Sequence, residues 1–260
     1  MELGLKRKVA IITGVDNPRG IGAAAAFALA REGVRLVLVY KDREDYESKA
    51  VRGRAFRVHK RDTVDLRLLN ASFLVLEENV SNERGVKSIF DRAFDRYERV
   101  DILVNALVHS DDDSIETLTA GTLGLTFQTN VTGTLLMAQE FVERRGDYGR
   151  IINIASDAVQ CCTGRITYGV NRAAVEGLTR RLAAEIGRYG ITVNCIAPGP
   201  TQTGWSDEEL ALDLIPQIPL GKLVQPEDIA DTIVFLASAR SALLTGQVVE
   251  ISGGYGLPVV

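Results

Sequence analysis

One turn near the N-terminus constrains the fold more than any other stretch. Val9-Ala10-Ile11-Ile12 reads as a buried strand, and Thr13-Gly14-Val15-Asp16-Asn17-Pro18-Arg19-Gly20-Ile21-Gly22 follows it at once. Ile21 to Arg31 then continues as an alanine-rich helical run. A glycine-rich turn between a strand and a helix lets backbone approach a ligand closely. The unpaired N–H groups and positive dipole end of the helix make that place a seat for pyrophosphate. Such a string is a weak signal alone and a strong one between a strand and a helix. Gly14, Gly20, Ile21 and Gly22 are therefore candidate cofactor-binding residues.

The same alternation continues along the chain. Arg35–Tyr40, Phe73–Leu76, Asp101–Val104, Arg150–Ile154 and Ile191–Ile196 read as strands. Val86–Tyr97, Thr122–Arg144, Tyr168–Tyr189 and Pro226–Ala239 read as helices. Strands alternating with helices imply a parallel sheet covered on both faces, a doubly wound three-layer α/β/α arrangement. With 260 residues, 46% of them hydrophobic, one domain spanning 1–260 has a sizeable core. Residues 41–72 break the rhythm. They are charged and weakly periodic, and read as an extended, partly irregular crossover.

Charge and cysteine content exclude several functions. The formal net charge of −4 gives no basic excess for nucleic acid or an anionic membrane surface. No apolar run approaches the roughly 20 residues of a membrane span. The short charged start, Met1 to Lys8, is not a signal peptide, so the expectation is a cytoplasmic protein. Cys161, Cys162 and Cys195 have no metal-ligand spacing and no disulfide framework. No metal is expected. The two histidines, His59 and His109, read as ordinary polar positions.

The chemistry concentrates between Ile151 and Ala174. Tyr168 and Arg172 are four residues apart at the start of a helical run, so they share a face. A permanent cation beside a phenol favours the phenolate, which suits a tyrosine to proton transfer. Ser156, twelve residues before Tyr168 at the end of a strand, is placed to hold the oxygen that the tyrosine protonates.

On these residues the chain resembles the short-chain dehydrogenase/reductase family, which carries a serine followed by Tyr-x-x-x-Lys. Its glycine-rich loop is similar to the family's Thr-Gly-x-x-x-Gly-x-Gly with two extra residues, as in members resembling β-ketoacyl-[acyl-carrier-protein] reductases. Pro198-Gly199-Pro200-Thr201-Gln202-Thr203 matches the family's Pro-Gly-x-x-x-Thr, and Ser252-Gly253-Gly254 its last turn. Asn130-Val131-Thr132-Gly133 matches the helix asparagine whose local distortion holds a relay water. The resemblance runs from Lys8 to Gly254. It implies a Rossmann-type fold and an oxidoreductase moving hydride between a nicotinamide cofactor and a carbonyl or secondary alcohol.

Carried over residue by residue, the resemblance makes Asn130, Ser156, Tyr168 and Arg172 the catalytic set. Tyr168 and Arg172 also contact the cofactor. Asn79 and Val80 would meet adenine, Asn105 would line the cofactor, and Pro198, Gly199, Thr201 and Thr203 would face the nicotinamide and phosphate. Tyr40 takes the place of the acid that marks NAD binders. Arg19 and Lys41 are cations suited to a 2′-phosphate. NADP(H) is the preferred cofactor, and Asp42 keeps NAD(H) open. Residues 204–223 form the lid, whose Trp205, Leu210, Leu212, Leu214, Ile215, Ile218 and Leu220 suit an apolar or acyl-like substrate, such as a 3-oxoacyl compound. The long helices imply a homotetramer, or a homodimer.

The chain departs from the family at three places. Arg172 stands where lysine is expected, Asn79 replaces an acid, and Asn105-Ala106-Leu107-Val108 replaces Asn-Asn-Ala-Gly. A branched residue at 108 resists the positive φ that glycine allows. Two rival readings stay open: a cofactor-binding protein with little or no turnover, and a non-redox acid–base enzyme on the same scaffold.

Overall fold

A computed structural model describes residues 2–41, 71–157, 165–204 and 213–257. Seven parallel strands form one sheet in the order β3-β2-β1-β4-β5-β6-β7. They are β1 (Val9–Thr13), β2 (Arg35–Tyr40), β3 (Phe73–Glu77), β4 (Ile102–Asn105), β5 (Gly149–Ile154), β6 (Ile191–Pro198) and β7 (Val248–Ile251). The helices between them are α1 (Ile21–Arg31), α2 (Glu83–Tyr97), α3 (Ala120–Phe127), α4 (Gly133–Glu143), α5 (Ile166–Ile186) and α6 (Pro226–Ala237).

Alternate residues of each strand feed opposite faces, as a pleated strand requires. Ala10 and Ile12 join Leu29, Leu36, Ile229 and Ile233 in the layer under α1 and α6. Val9 and Ile11 join Ile89, Phe90, Met137, Phe141 and Val193 on the other face. Both layers are buried and apolar, and each side of the sheet carries helices, as the alternation predicts. The doubly wound α/β class is what the structure shows.

The sheet reverses direction of growth at β1. Thr13 pairs with Val39 of β2 on one side and with Asn105 of β4 on the other. In open α/β sheets, ligands bind outside the carboxyl ends of the strands at such a switch point. The glycine-rich loop, the loop after β4, the end of β5 and the loop after β6 all open there.

The helix expected over Thr122–Arg144 is interrupted. Gln128–Thr132 forms one π-helical turn between α3 and α4. A π-turn inserts a residue into an otherwise helical pattern, so its sequence reads as continuous helix. Helix α5 begins at Ile166, two residues before Tyr168. Asp42, His59, Cys161, Cys162, Trp205, Leu210, Leu212 and nearly all of the 41–72 crossover lie outside the described residues.

Candidate active site

The floor of the crevice is the glycine-rich loop. Gly14 has φ +73, and a Cβ built on it would come within 2.6 Å of the Ala106 carbonyl oxygen. A Cβ on Gly22 would be 2.4 Å from the Gly14 oxygen. Both positions therefore need glycine, one for its backbone and both for space. Gly20 caps α1 without a side-chain hydrogen bond, and no acid stands in the first turn. The N-terminal N–H groups of α1 are left to a ligand. That is the donor set an anionic diphosphate needs, and it fits a dinucleotide.

The loop after β4 is pinned at three points. Thr13 Oγ1 accepts from the backbone N–H groups of Ala106 and Leu107, both at 3.2 Å. Asn130 accepts from the His109 N–H and donates to the His109 carbonyl, both at 2.8 Å. Asp113, buried, accepts from the Thr167 N–H at 3.2 Å. Val108 takes no positive φ, so the substitution for glycine is accommodated by a rebuilt loop rather than by a strained residue. The loop thus ties β1, the π-turn and the first turn of α5 into one frame.

That first turn carries the tyrosine. Arg165, in the left-handed region at φ +50, redirects the chain into α5 without a side-chain cap of its own. The distant Asp113 supplies the missing acceptor, a stabilising arrangement at a helix N-terminus. Arg172 lies one turn beyond Tyr168, with its guanidinium carbon 4.9 Å from the centre of the phenol ring. The two groups share a helix face as expected. Arg172 is only 4% exposed. Its Nη1 donates to the Ile154 carbonyl at 2.8 Å, and its buried Nε has no hydrogen-bond partner. An arginine buried here is held at the end of β5, two residues before Ser156.

Ser156 is buried at the mouth of the crevice, following Ala155, whose N–H donates to Ile196. Asn130 lies in the π-turn and is buried rather than solvated. Asn105 donates to Asn153, and Asn153 donates to Thr179 of α5, both at 2.9 Å. The Asn105 side chain is thus spent on linking β4, β5 and α5. Asn79 accepts from Ser81 N–H and Oγ. Val80 is buried against Gly133. Thr201 Oγ1 donates to Gly199, and the Pro198–Thr203 loop is stitched to Val224 by Gln202 N–H and Val224 N–H. Tyr40 donates to Glu77 at 3.3 Å on the far side of β1, with Lys41 next to it. Arg19 turns the other way, its Nη2 2.5 Å from where a Cβ on Gly204 would stand.

Two carboxylates that sequence reasoning passed over belong to this frame, Asp113 and Asp157. Asp157 follows Ser156, and its N–H donates to Pro198. Its Oδ2 is buried without a hydrogen-bond partner and lies 3.0 Å from a Cβ position on Gly199. Burial, with the nearby Glu250 charge, pushes its carboxyl up to about 7. The acid run Asp111–Asp113 in the loop after β4 was the available signal for Asp113. Nothing local marks Asp157. Cys195 is fully buried, and burial pushes its thiol up to about 12, so it is inert packing.

A switch-point crevice with an open helix N-terminus, and a tyrosine–arginine pair beside a strand-end serine, define a dinucleotide-binding oxidoreductase. The chain belongs to the short-chain dehydrogenase/reductase family. The family profile described as Enoyl-(Acyl carrier protein) reductase matches residues 14–256. The chain is similar to the (2S)-[(R)-hydroxy(phenyl)methyl]succinyl-CoA dehydrogenase subunit BbsD of Thauera aromatica, at 35% identity over 98% of this chain and 99% of that one. It is 29% identical to the 3-oxoacyl-[acyl-carrier-protein] reductase FabG of Aquifex aeolicus, over 98% and 99%. A dehydrogenase/reductase structure from Sinorhizobium meliloti superposes with a TM-score of 0.86 at 26% identity, covering 98% of this chain and 97% of that one. The protein is an oxidoreductase acting between alcohol and carbonyl, and its family uses a nicotinamide cofactor.

Proposed function

We propose that the protein is an NADP(H)-dependent carbonyl reductase or secondary-alcohol dehydrogenase, working on an apolar or acyl-like substrate such as a 3-oxoacyl compound. The observation that carries this reading is the Arg172 guanidinium, 4.9 Å from the Tyr168 ring and fixed to the Ile154 carbonyl. When bound, the nicotinamide supplies or accepts the hydride. In the reducing direction Ser156 donates a hydrogen bond to the carbonyl oxygen, and Tyr168 gives that oxygen its proton. Arg172 stabilises the phenolate that remains, and its buried Nε–H, without a hydrogen-bond partner among the described residues, would be a donor for the ribose of a bound cofactor. Its pKa is above about 12, so it does not itself relay the proton. Asn130 anchors the relay water in the π-turn.

The cofactor side follows from position. Gly14, Gly20, Ile21 and Gly22 seat the diphosphate. Asn79, with its oxygen already bonded to Ser81, would offer its amide N–H groups to the adenine of a bound cofactor, with Val80 beside it in the chain. Asn105 lines the floor. Pro198, Gly199, Thr201 and Thr203 border the nicotinamide half. Lys41, beside Tyr40 at the end of β2, meets the 2′-phosphate and sets the preference for NADP(H). The names of the relatives support the substrate class, since one acts on a succinyl-CoA derivative and another is a 3-oxoacyl reductase.

The test is NADPH oxidation against a panel of ketones and 3-oxoacyl thioesters, with NADH in parallel. Turnover with NADPH on an acyl-type ketone supports the reading. Tighter binding and faster turnover with NADH transfers the cofactor assignment to Asp42. Tight dinucleotide binding without turnover on any carbonyl leaves a cofactor-binding protein, a reading that Asn105-Ala106-Leu107-Val108 in place of Asn-Asn-Ala-Gly favours.

A further inference from the structure

Asn17 and Arg19 sit in the part of the glycine-rich loop that is longer than the family's usual loop, and neither stays on its own side of the crevice. Asn17 is the pivot. Its backbone oxygen accepts from the Gly20 N–H at 2.8 Å. Its Oδ1 accepts from the Arg19 N–H at 3.0 Å, and its Nδ2 donates to the Thr203 carbonyl at 3.0 Å. One amide side chain therefore shapes the turn and ties it to the loop after β6. Arg19 then lies over Gly204, occupying the space a side chain there would need.

Strand order gives this direction its meaning. β2, which ends at Tyr40 and Lys41, flanks β1 on one side, and β6 lies beyond β4 and β5 on the other. Arg19 reaches toward β6, away from the strand end where a 2′-phosphate would sit. It forms no ion pair among the described residues, and the α1 N-terminus beside it carries no acid and no side-chain cap. An exposed cation beside an uncapped helix N-terminus is complementary to an anion bound by both. The anion that the two dinucleotides share at this place is the diphosphate.

We propose that Asn17 and Arg19 form a bridge across the cofactor diphosphate, binding the glycine-rich loop to the Thr203–Gly204 backbone, and that Arg19 therefore supports NADPH and NADH alike instead of choosing between them. The inference rests on the dinucleotide reading above. Arginine is suited to the task because its planar fork spans two phosphate oxygens while Asn17 fixes its backbone.

Calorimetric titration of NADPH, NADH and ADP-ribose into the wild type, Arg19→Gln and Asn17→Ala tests it. Arg19→Gln should weaken all three by a similar factor, about 10-fold or more for a lost charge-assisted contact, and leave the NADPH:NADH ratio unchanged. Asn17→Ala should weaken all three in the same direction. A loss confined to NADPH would make Arg19 a 2′-phosphate ligand and overturn the bridge, as would unchanged affinities in both variants. A wild type that binds none of the three overturns the dinucleotide reading itself, which separates the two failures. Thermal unfolding of each variant without ligand checks that substituting the exposed Arg19 and the half-buried Asn17 leaves the fold intact.

Discussion

At the scale of single residues, the site depends on buried polar groups whose partners come from elsewhere in the chain. Arg172 is the plainest case. Replacing it with methionine leaves the Ile154 carbonyl without its donor and removes the charge beside Tyr168. Arg172→Met should lower both stability, by about 1–3 kcal/mol for an unpaired buried acceptor, and kcat. Arg172→Lys keeps a cation and should retain or raise the wild-type activity. Urea midpoints and kcat on one accepted ketone read the two effects separately. An active Arg172→Met variant would remove the residue from the mechanism.

Asp157 adds a pH dependence of defined sign. Its carboxyl has an ordinary value of 3.8 and is pushed up to about 7 by burial, and then by Glu250 on β7. Below 3.8 the folded and unfolded chains both hold the proton. Between that value and about 7 the folded protein keeps a proton that the unfolded chain releases, so stability falls as pH rises and levels off above. Asp157→Asn mimics the neutral acid. Its urea midpoint should lack this decline and exceed that of the wild type at about pH 8. Parallel curves for the two proteins would show that the carboxyl does not titrate in this range.

At the scale of elements, the π-turn and the loop after β4 work as a unit. Asn130 supplies both hydrogen bonds that hold the His109 backbone. Asn130→Ala removes both of these part-buried hydrogen bonds and should cost about 1–2 kcal/mol, together with a fall in kcat. A variant as stable and active as the wild type would mean that the loop holds itself. The bounds of α1 were legible because glycines close one end of it and Glu32-Gly33 the other. Strands β1 to β6 were legible because each is a short apolar run between polar turns. The π-turn was not, since Gln128–Thr132 differs from its flanks in backbone hydrogen bonding and not in pattern. The Asp113 cap on α5 was hidden for another reason: its two partners are 54 residues apart, and local spacing carries no sign of them. Tyr168, Ser156 and Arg172 could be read because a helix period and a strand end place them. The direction in which Arg19 points depends on Asn17 meeting a loop 186 residues away.

At the scale of the whole molecule, apolar side chains stand exposed on the helices of one face. Leu125 is 46% exposed and Phe127 42% on α3, Leu135 42% on α4, and Val170 51% on α5. Such groups on neighbouring helices suit isologous packing against a second copy. The expected assembly is a homotetramer, with a homodimer as the smaller alternative, and a monomeric mass in light scattering at micromolar concentration would contradict both. No helix among the described residues is long and apolar enough to cross a membrane.

The role of Tyr168 as the proton donor in hydride transfer is read from the kcat of wild type and Tyr168→Phe with NADPH on the same accepted ketone. The expected result is an active wild type and a loss of about 10²–10⁴-fold in the variant, the usual scale of general acid catalysis, with NADPH affinity little changed. Wild-type turnover in Tyr168→Phe would contradict it.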